Sequence, residues 1–194
     1  MTPALAKVVW AALVVLWYAI RYPFWRKARK AAVTRSQRDA RETVLLGISS
    51  AGLGVLPALY VATGVPRFAD YPFRPGLAWL GTAAALAALA MFRLTHKALG
   101  RNWSVSLDVR ERHTLVTEGV YGRVRHPMYT AFWLWAVAQA LLLPNWIAGP
   151  AGLVGFGTLF FLRVGREERM MLDAFGDAYR AYVARTARVI PWIY

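Results

Sequence analysis

The sequence has no cysteine. That excludes a disulfide framework, a thiolate zinc site and a cysteine nucleophile, and it removes redox chemistry as a guide to compartment. Acidic residues are scarce, 10 Asp and Glu against 24 Lys and Arg, leaving a formal net charge of +14. Histidine is scarcer still. The three, His96, His113 and His126, are scattered and follow no carboxylate pattern, so no metal is assigned. No Gly-x-Gly-x-x-Gly run follows a strand-like stretch and no Walker-type loop occurs, which argues against a Rossmann or P-loop nucleotide site. Internal repeats and low-complexity segments are also missing.

Apolar residues are abundant. They make up 58% of the 194 residues, above the roughly 45–50% usual for soluble domains. The basic residues sit in short connectors between apolar runs. That pattern fits the cytoplasmic face of a membrane and its anionic lipids better than a nucleic-acid surface, and no nucleic-acid partner is expected. The first twenty residues carry Lys7 as their one charge and no small-residue cleavage site follows them. They read as a retained spanning helix rather than a signal peptide.

A spanning helix needs about 20 mostly apolar residues, within a range of roughly 17–25. Five windows qualify, some only with their flanks: 4–20, 43–65, 76–95, 128–143 and 146–164. Leu143-Pro-Asn145 marks a tight turn between the last two. The Ala- and Leu-rich third window and the Gly152-x-x-Gly155-x-Gly157 cluster of the fifth suggest close helix packing, although small residues also occur without pattern on lipid-facing helices. Eight basic residues fall in 21–41, seven in 93–127 and six from Arg163 onward; only Lys7, Arg67 and Arg74 fall elsewhere. With five spans those three segments share one side, which places the N-terminus outside and the C-terminus in the cytoplasm. The expected fold is an all-α integral membrane protein of five transmembrane helices. It forms one membrane domain, 1–194, with three helices in 1–95 and a polar motif region in 96–194.

Two polar clusters flank apolar spans: Gly119-Val-Tyr-Gly-Arg-Val-Arg-His-Pro-Met-Tyr129 and Arg163-Val-Gly-Arg-Glu-Glu168. Ionisable residues beside a bilayer are costly and point to function. Arg163 and Glu167 are four apart and share a helix face, while Glu168 points about 100° away. On spacing alone a plain ion pair at a membrane exit explains the first two better than a site does. Phe175-Gly176 offers a helix stop, after which a second short helix carries Tyr179 and Tyr182. In the other cluster Pro127 suits the first turn of the fourth helix, with His126 at the cap, and the free N–H groups there suit an anion. A basic flank with an interfacial tyrosine fits the same residues equally well.

Taken together, these residues resemble a known family. Leu115-Val-x-x-Gly119-x-Tyr121, Arg125-His-Pro-x-Tyr129 and Glu167-Glu168-x-x-x-Leu172-x-x-Phe175-Gly176-x-x-Tyr179-x-x-Tyr182 are similar to the isoprenylcysteine carboxyl methyltransferase family of integral membrane methyltransferases. Asn102-Trp103-Ser104 resembles the family's approach to the first motif. The resemblance covers about residues 95–192, and in length and span number the chain looks most like the short archaeal and bacterial members. It departs from the pattern at Val120, where proline is common.

The resemblance implies S-adenosyl-L-methionine bound in a non-Rossmann site at the cytoplasmic helix ends of the C-terminal half. It implies that His113, Thr114, Leu115 and Val116 lie strand-like along the cofactor, and that Tyr121, His126, Pro127, Met128, Tyr129 and Glu167 contact it. Arg163 is expected to hold the acceptor carboxylate and Arg125 to order the loop or the cofactor carboxylate; with Glu167 they form the catalytic set. The acceptor is expected to be lipidic or small and apolar, most simply the carboxylate of a prenylated cysteine, or a thiol. The implied setting is a multi-pass protein of a prokaryotic cell membrane. The alternatives are a phospholipid N-methyltransferase, whose acceptor amine must lose a proton, and an NADPH-binding, sterol-reductase-like membrane protein, which shares the His-Pro and Tyr elements. A purely structural membrane protein would not need two polar motifs in register. Methyl transfer suits the residues, because an electrophilic sulfonium needs an aligned, dehydrated acceptor more than a strong base.

Overall fold

The computed structural model describes residues 1–28, 33–36, 39–100, 108–110 and 114–191. Helix α1 spans Pro3–Ala28. The next helical rod is built in three parts, α2 (Ala40–Ser50), a π-helical turn (Ala51–Val55) and α3 (Leu56–Thr63). Helix α4 spans Pro75–Leu99, α5 Pro127–Leu142 and α6 Ala151–Arg185. The helical class expected from the sequence holds. A short antiparallel pairing of β1 (Val33–Ser36) with β2 (Asp108–Arg110) is the addition.

Among the described residues, three segments are long and apolar enough to cross a membrane: Pro3–Lys27, Ala40–Thr63 and Pro75–Leu99. They correspond to the first three windows. The remaining two form a helical hairpin with different proportions. Helix α5 has 16 residues, about 24 Å at the helical rise, which is short of a hydrocarbon core of about 30 Å. Helix α6 starts at Ala151, later than the expected 146, for a local reason. Asn145 Oδ1 accepts from the backbone N–H of Ile147 and Ala148 at 3.0 and 2.9 Å, so its side chain turns the chain before a helix can begin.

Small residues set the packing. A Cβ on Gly52 would stand 2.2 Å from the Ala151 carbonyl oxygen and 3.2 Å from Gly155 Cα, so the π-helical turn lies directly on α6. Helix α4 buries Ala78, Gly81, Ala85 and Ala88. A Cβ on Gly81 would meet the Ala138 carbonyl oxygen of α5 at 2.9 Å, so the third helix packs closely on α5. Gln139 of α5, 1% exposed, donates to the carbonyls of Gly52, Ala148 and Gly149 at 3.1, 2.9 and 3.2 Å and ties three elements together.

The contacts also sort the helix ends. Lys7 lies over the Tyr60 ring, and Tyr71 N–H donates to the Pro144 carbonyl. The start of α1, the end of α3, the start of α4 and the α5–α6 turn therefore meet at one end. At the opposite end Phe24 packs on His96, Asp39 pairs with Arg166, and residues 123–126 meet the chain after α6. The described residues of the three basic segments converge on this second end.

Candidate active site

The second end is assembled by a backbone clasp. Arg125 N–H and His126 N–H donate to the carbonyls of Ala187 and Arg188 at 2.9 and 3.0 Å, and Ala187 N–H returns a bond to Arg123 at 3.2 Å. Thr130 Oγ1 adds a bond to the Val189 carbonyl at 2.7 Å. Pro127 then opens α5, as its fixed φ and missing donor favour. Helix α6 breaks where expected: Gly176 has φ 54°, a backbone conformation that glycine adopts without a Cβ clash. The break turns Tyr179 and Tyr182 back onto Tyr121, whose carbonyl accepts from the Tyr182 hydroxyl at 2.7 Å.

Inside the clasp lies a run of alternating charge. Arg163 pairs with Glu42 at 3.1 Å and approaches Glu167 at 3.8 Å. The Tyr129 hydroxyl donates to Glu167 Oε2. His126 stands between two carboxylates, with Nδ1 3.7 Å from Glu167 Oε1 and Nε2 3.2 Å from Glu168 Oε1. Glu168 also receives Arg125 Nε at 2.7 Å and both ends of the Arg188 fork, at 3.0 and 2.7 Å.

The electrostatics follow from these contacts. Burial disfavours ionisation of Glu167, but His126, Arg163 and the Tyr129 hydroxyl outweigh it and bring its pKa down to about 2. Glu168 is half-buried, and against that burial His126, Arg188 and Arg125 hold it well below the usual carboxylate range. Burial disfavours a charged His126, yet Glu167 and Glu168 raise its pKa above the ordinary value. Tyr121 is pushed up by burial and then by Glu167, so it stays a neutral phenol.

A cavity of about 420 Å³ joins this cluster to the membrane region. Thr114, Leu115, Val116, Tyr121, Arg125, His126, Met128, Tyr129, Arg163 and Glu167 all border it. Ten residues singled out from the sequence thus border one cavity. Pro127 is buried behind them, and His113 and Asn102-Trp103-Ser104 lie outside the described residues. Thr114–Val116 lie outside any strand. From this polar head the cavity runs on between Val14 and Trp17 of α1, Leu53, Phe132 of α5 and Phe156 of α6. Sequence reasoning missed Glu42, Arg188 and the many partners of Glu168. A lone glutamate at the start of an apolar window was the available signal for Glu42.

A helical membrane protein whose buried charge cluster opens into an apolar cavity has the build of an intramembrane enzyme that brings a polar ligand to an apolar one. The comparisons name the class. Residues 79–173 match the isoprenylcysteine carboxyl methyltransferase (ICMT) family. Protein-S-isoprenylcysteine O-methyltransferase B of Arabidopsis thaliana is 32% identical over 133 residues, 64% of this chain and 68% of that protein. The Dictyostelium discoideum protein-S-isoprenylcysteine O-methyltransferase is 29% identical over 60% of this chain but half of its own length. A probable protein-S-isoprenylcysteine O-methyltransferase of Oryza sativa subsp. indica is 25% identical over 95% of both chains. The solved structure of the eukaryotic intramembrane Ras methyltransferase ICMT shares the fold, with a TM-score of 0.65 at 20% identity, over 100% of this chain and 69% of that one. The chain belongs to the isoprenylcysteine carboxyl methyltransferase family and is a membrane methyltransferase.

Proposed function

We propose that the chain transfers a methyl group from S-adenosyl-L-methionine to an acceptor carried on an apolar chain, foremost the carboxylate of an isoprenylated cysteine, with an apolar thiol as the simpler variant. The observation that carries this reading is a cavity that has both a charged head and an apolar arm. Its volume falls in the range of small-ligand sites, about 300–1,000 Å³.

The residues present fit that cofactor. When bound, it would supply an electrophilic methyl on a positively charged sulfur. Glu167, ionised at any ordinary pH, offers a carboxylate to a cationic ligand group. Tyr121, Leu115 and Val116 offer an apolar and aromatic wall for a base. Helix α5 begins without a side-chain cap, so its first N–H groups suit a ligand carboxylate. In this reading Thr114–Val116, Tyr121, His126, Met128, Tyr129 and Glu167 bind the cofactor. His126 and Tyr129 also hold Glu167 in place. Arg125 directs Nε to Glu168 and Nη1 to the Thr186 carbonyl, so it orders the loop. Arg163 sits one helical turn from Glu167 and meets the acceptor where the head joins the apolar arm.

The placement that goes with this reading has five membrane segments, the N-terminus outside and the site in the cytoplasm, supported by the convergence of the basic segments on the site's end. A reporter active only in the cytoplasm should give signal after residue 194 and none after residue 1.

The reading is tested by thermal shift in detergent. S-adenosylhomocysteine at 100 times its dissociation constant should stabilise the protein by about 2.7 kcal/mol, and NADPH should not. Transfer of labelled methyl to N-acetyl-S-farnesylcysteine should follow. A shift with NADPH alone would favour a reductase, and label absent from this acceptor but present in base-stable form on phospholipid amines would favour the lipid enzyme.

A further inference from the structure

Glu42 is 0% exposed and stands in the first turn of α2, within a segment apolar enough to cross a membrane. An ionisable residue in that setting is costly to keep and points to function. Its partner is Arg163, at 3.1 Å. Arg163 borders the cavity and Glu42 does not, so Glu42 stands behind the guanidinium. Stability does not account for the pair, because a buried ion pair is commonly no better than apolar residues of the same volume. Docking does not account for it either. Arg41 donates to the Leu162 carbonyl at 3.3 Å and Asp39 pairs with Arg166 at 3.0 Å, so α2 is already fastened to α6 on both sides.

We propose that Glu42 is a positioning residue for methyl transfer: it neutralises Arg163, so that the guanidinium aligns an anionic acceptor without holding its charge. The inference rests on the acceptor reading above. In that reaction an acceptor carboxylate oxygen uses a lone pair to form the new C–O bond. The methyl–sulfur bond breaks as its electron pair returns to sulfur, and no proton moves. The negative charge of the acceptor and the positive charge of the sulfonium therefore both fade toward the transition state. A bare buried cation beside the carboxylate would stabilise the charged ground state more than the transition state and so slow the step. With Glu42 at 3.1 Å and Glu167 at 3.8 Å, Arg163 keeps the shape of its planar fork but exerts little net field.

The test uses the full chain in detergent with Glu42→Gln. Binding of N-acetyl-S-farnesylcysteine is measured by calorimetry in saturating S-adenosylhomocysteine, and turnover is measured separately with S-adenosyl-L-methionine. The acceptor should bind ~3–10-fold tighter while kcat falls ~10-fold, with S-adenosylhomocysteine affinity held within ~2-fold. A merely structural role would weaken acceptor binding and turnover together. Weaker or unchanged acceptor binding, or unchanged kcat, overturns the assignment. Glu42→Asp keeps the charge but withdraws it by one methylene. It should show the same split at smaller size, and if Glu42→Gln does not fold, a parallel loss of both quantities in Glu42→Asp overturns the proposal. A wild type that binds no S-adenosylhomocysteine would bring down the functional reading and this assignment with it. A wild type that binds it and a variant without the split bring down the Glu42 assignment alone.

Discussion

Glu167 and Glu168, adjacent in sequence, grip opposite nitrogens of one imidazole. Glu167 Oε1 lies 3.7 Å from His126 Nδ1, and Glu168 Oε1 lies 3.2 Å from His126 Nε2. The helical offset of about 100° between neighbours sends the first carboxylate toward the cavity and the second toward the tail that follows α6.

That division predicts a split between two isosteric variants. Glu167→Gln should weaken S-adenosylhomocysteine binding, with little loss of stability, because its carboxylate borders the cavity. Glu168→Gln should instead loosen the tail. It strips a partly buried carboxylate from Arg125 and Arg188, a loss of roughly 2–4 kcal/mol by analogy with broken buried pairs. Calorimetry and thermal denaturation of both variants decide the matter. Equal affinity for wild type and Glu167→Gln would remove Glu167 from the site.

His126 gives the structure a pH signature. Its folded pKa is raised above 6.5 by the two carboxylates. The stability this contributes is fully present below pH 6.5 and is lost as pH rises through the folded value. The melting temperature of the wild type should therefore exceed that of His126→Gln most at mildly acidic pH, and the gap should narrow on the alkaline side. A gap that widens with pH would contradict the sign of the shift.

Arg163→Lys keeps the charge but loses the planar fork. Turnover at saturating cofactor should fall with little change in S-adenosylhomocysteine affinity. One aligned, charge-assisted contact corresponds to about 1.5–3 kcal/mol, roughly tenfold to a hundredfold in rate. If affinity collapses while turnover holds, Arg163 belongs to the cofactor and not to the acceptor.

Gly52→Ala probes the frame. Its Cβ would stand 2.2 Å from the Ala151 carbonyl oxygen, so α6 must shift or the variant must strain. Overpacking of this kind costs about 1–3 kcal/mol. Gly54→Ala, whose Cβ would meet nothing within 4 Å, is the control. Both melting temperatures in detergent report the difference, and equal values would mean the helices are not held this close.

Much of this arrangement was readable from residue order, because its causes are local. Pro127 opens a helix, Gly176 breaks one, and Arg163 with Glu167 shares a face by spacing alone. The apolar windows located the first three helices to within a few residues at most ends, though α1 runs on to Ala28 past Pro23. What escaped depends on contacts between distant segments. Nothing near Glu42 announces that it meets Arg163, 121 positions later. Nothing beside Arg188 shows that Glu168 will take its fork. The late start of α6 turns on one side-chain oxygen of Asn145, which composition cannot weigh. The ten lining residues border one cavity because most of them fall in two short polar clusters, each placed by its own helix end.

The clasp formed by residues 186–189 is written in backbone and not in side chains. Arg125 and His126 are held by the carbonyls of Ala187 and Arg188, and Ala187 N–H returns to Arg123. Side-chain exchange at Ala187 therefore leaves the clasp in place as long as the backbone keeps its donors and acceptors. Proline is the exception, because it removes the N–H that Ala187 gives to Arg123, so one imino ring in the tail reaches the wall of the cavity through His126.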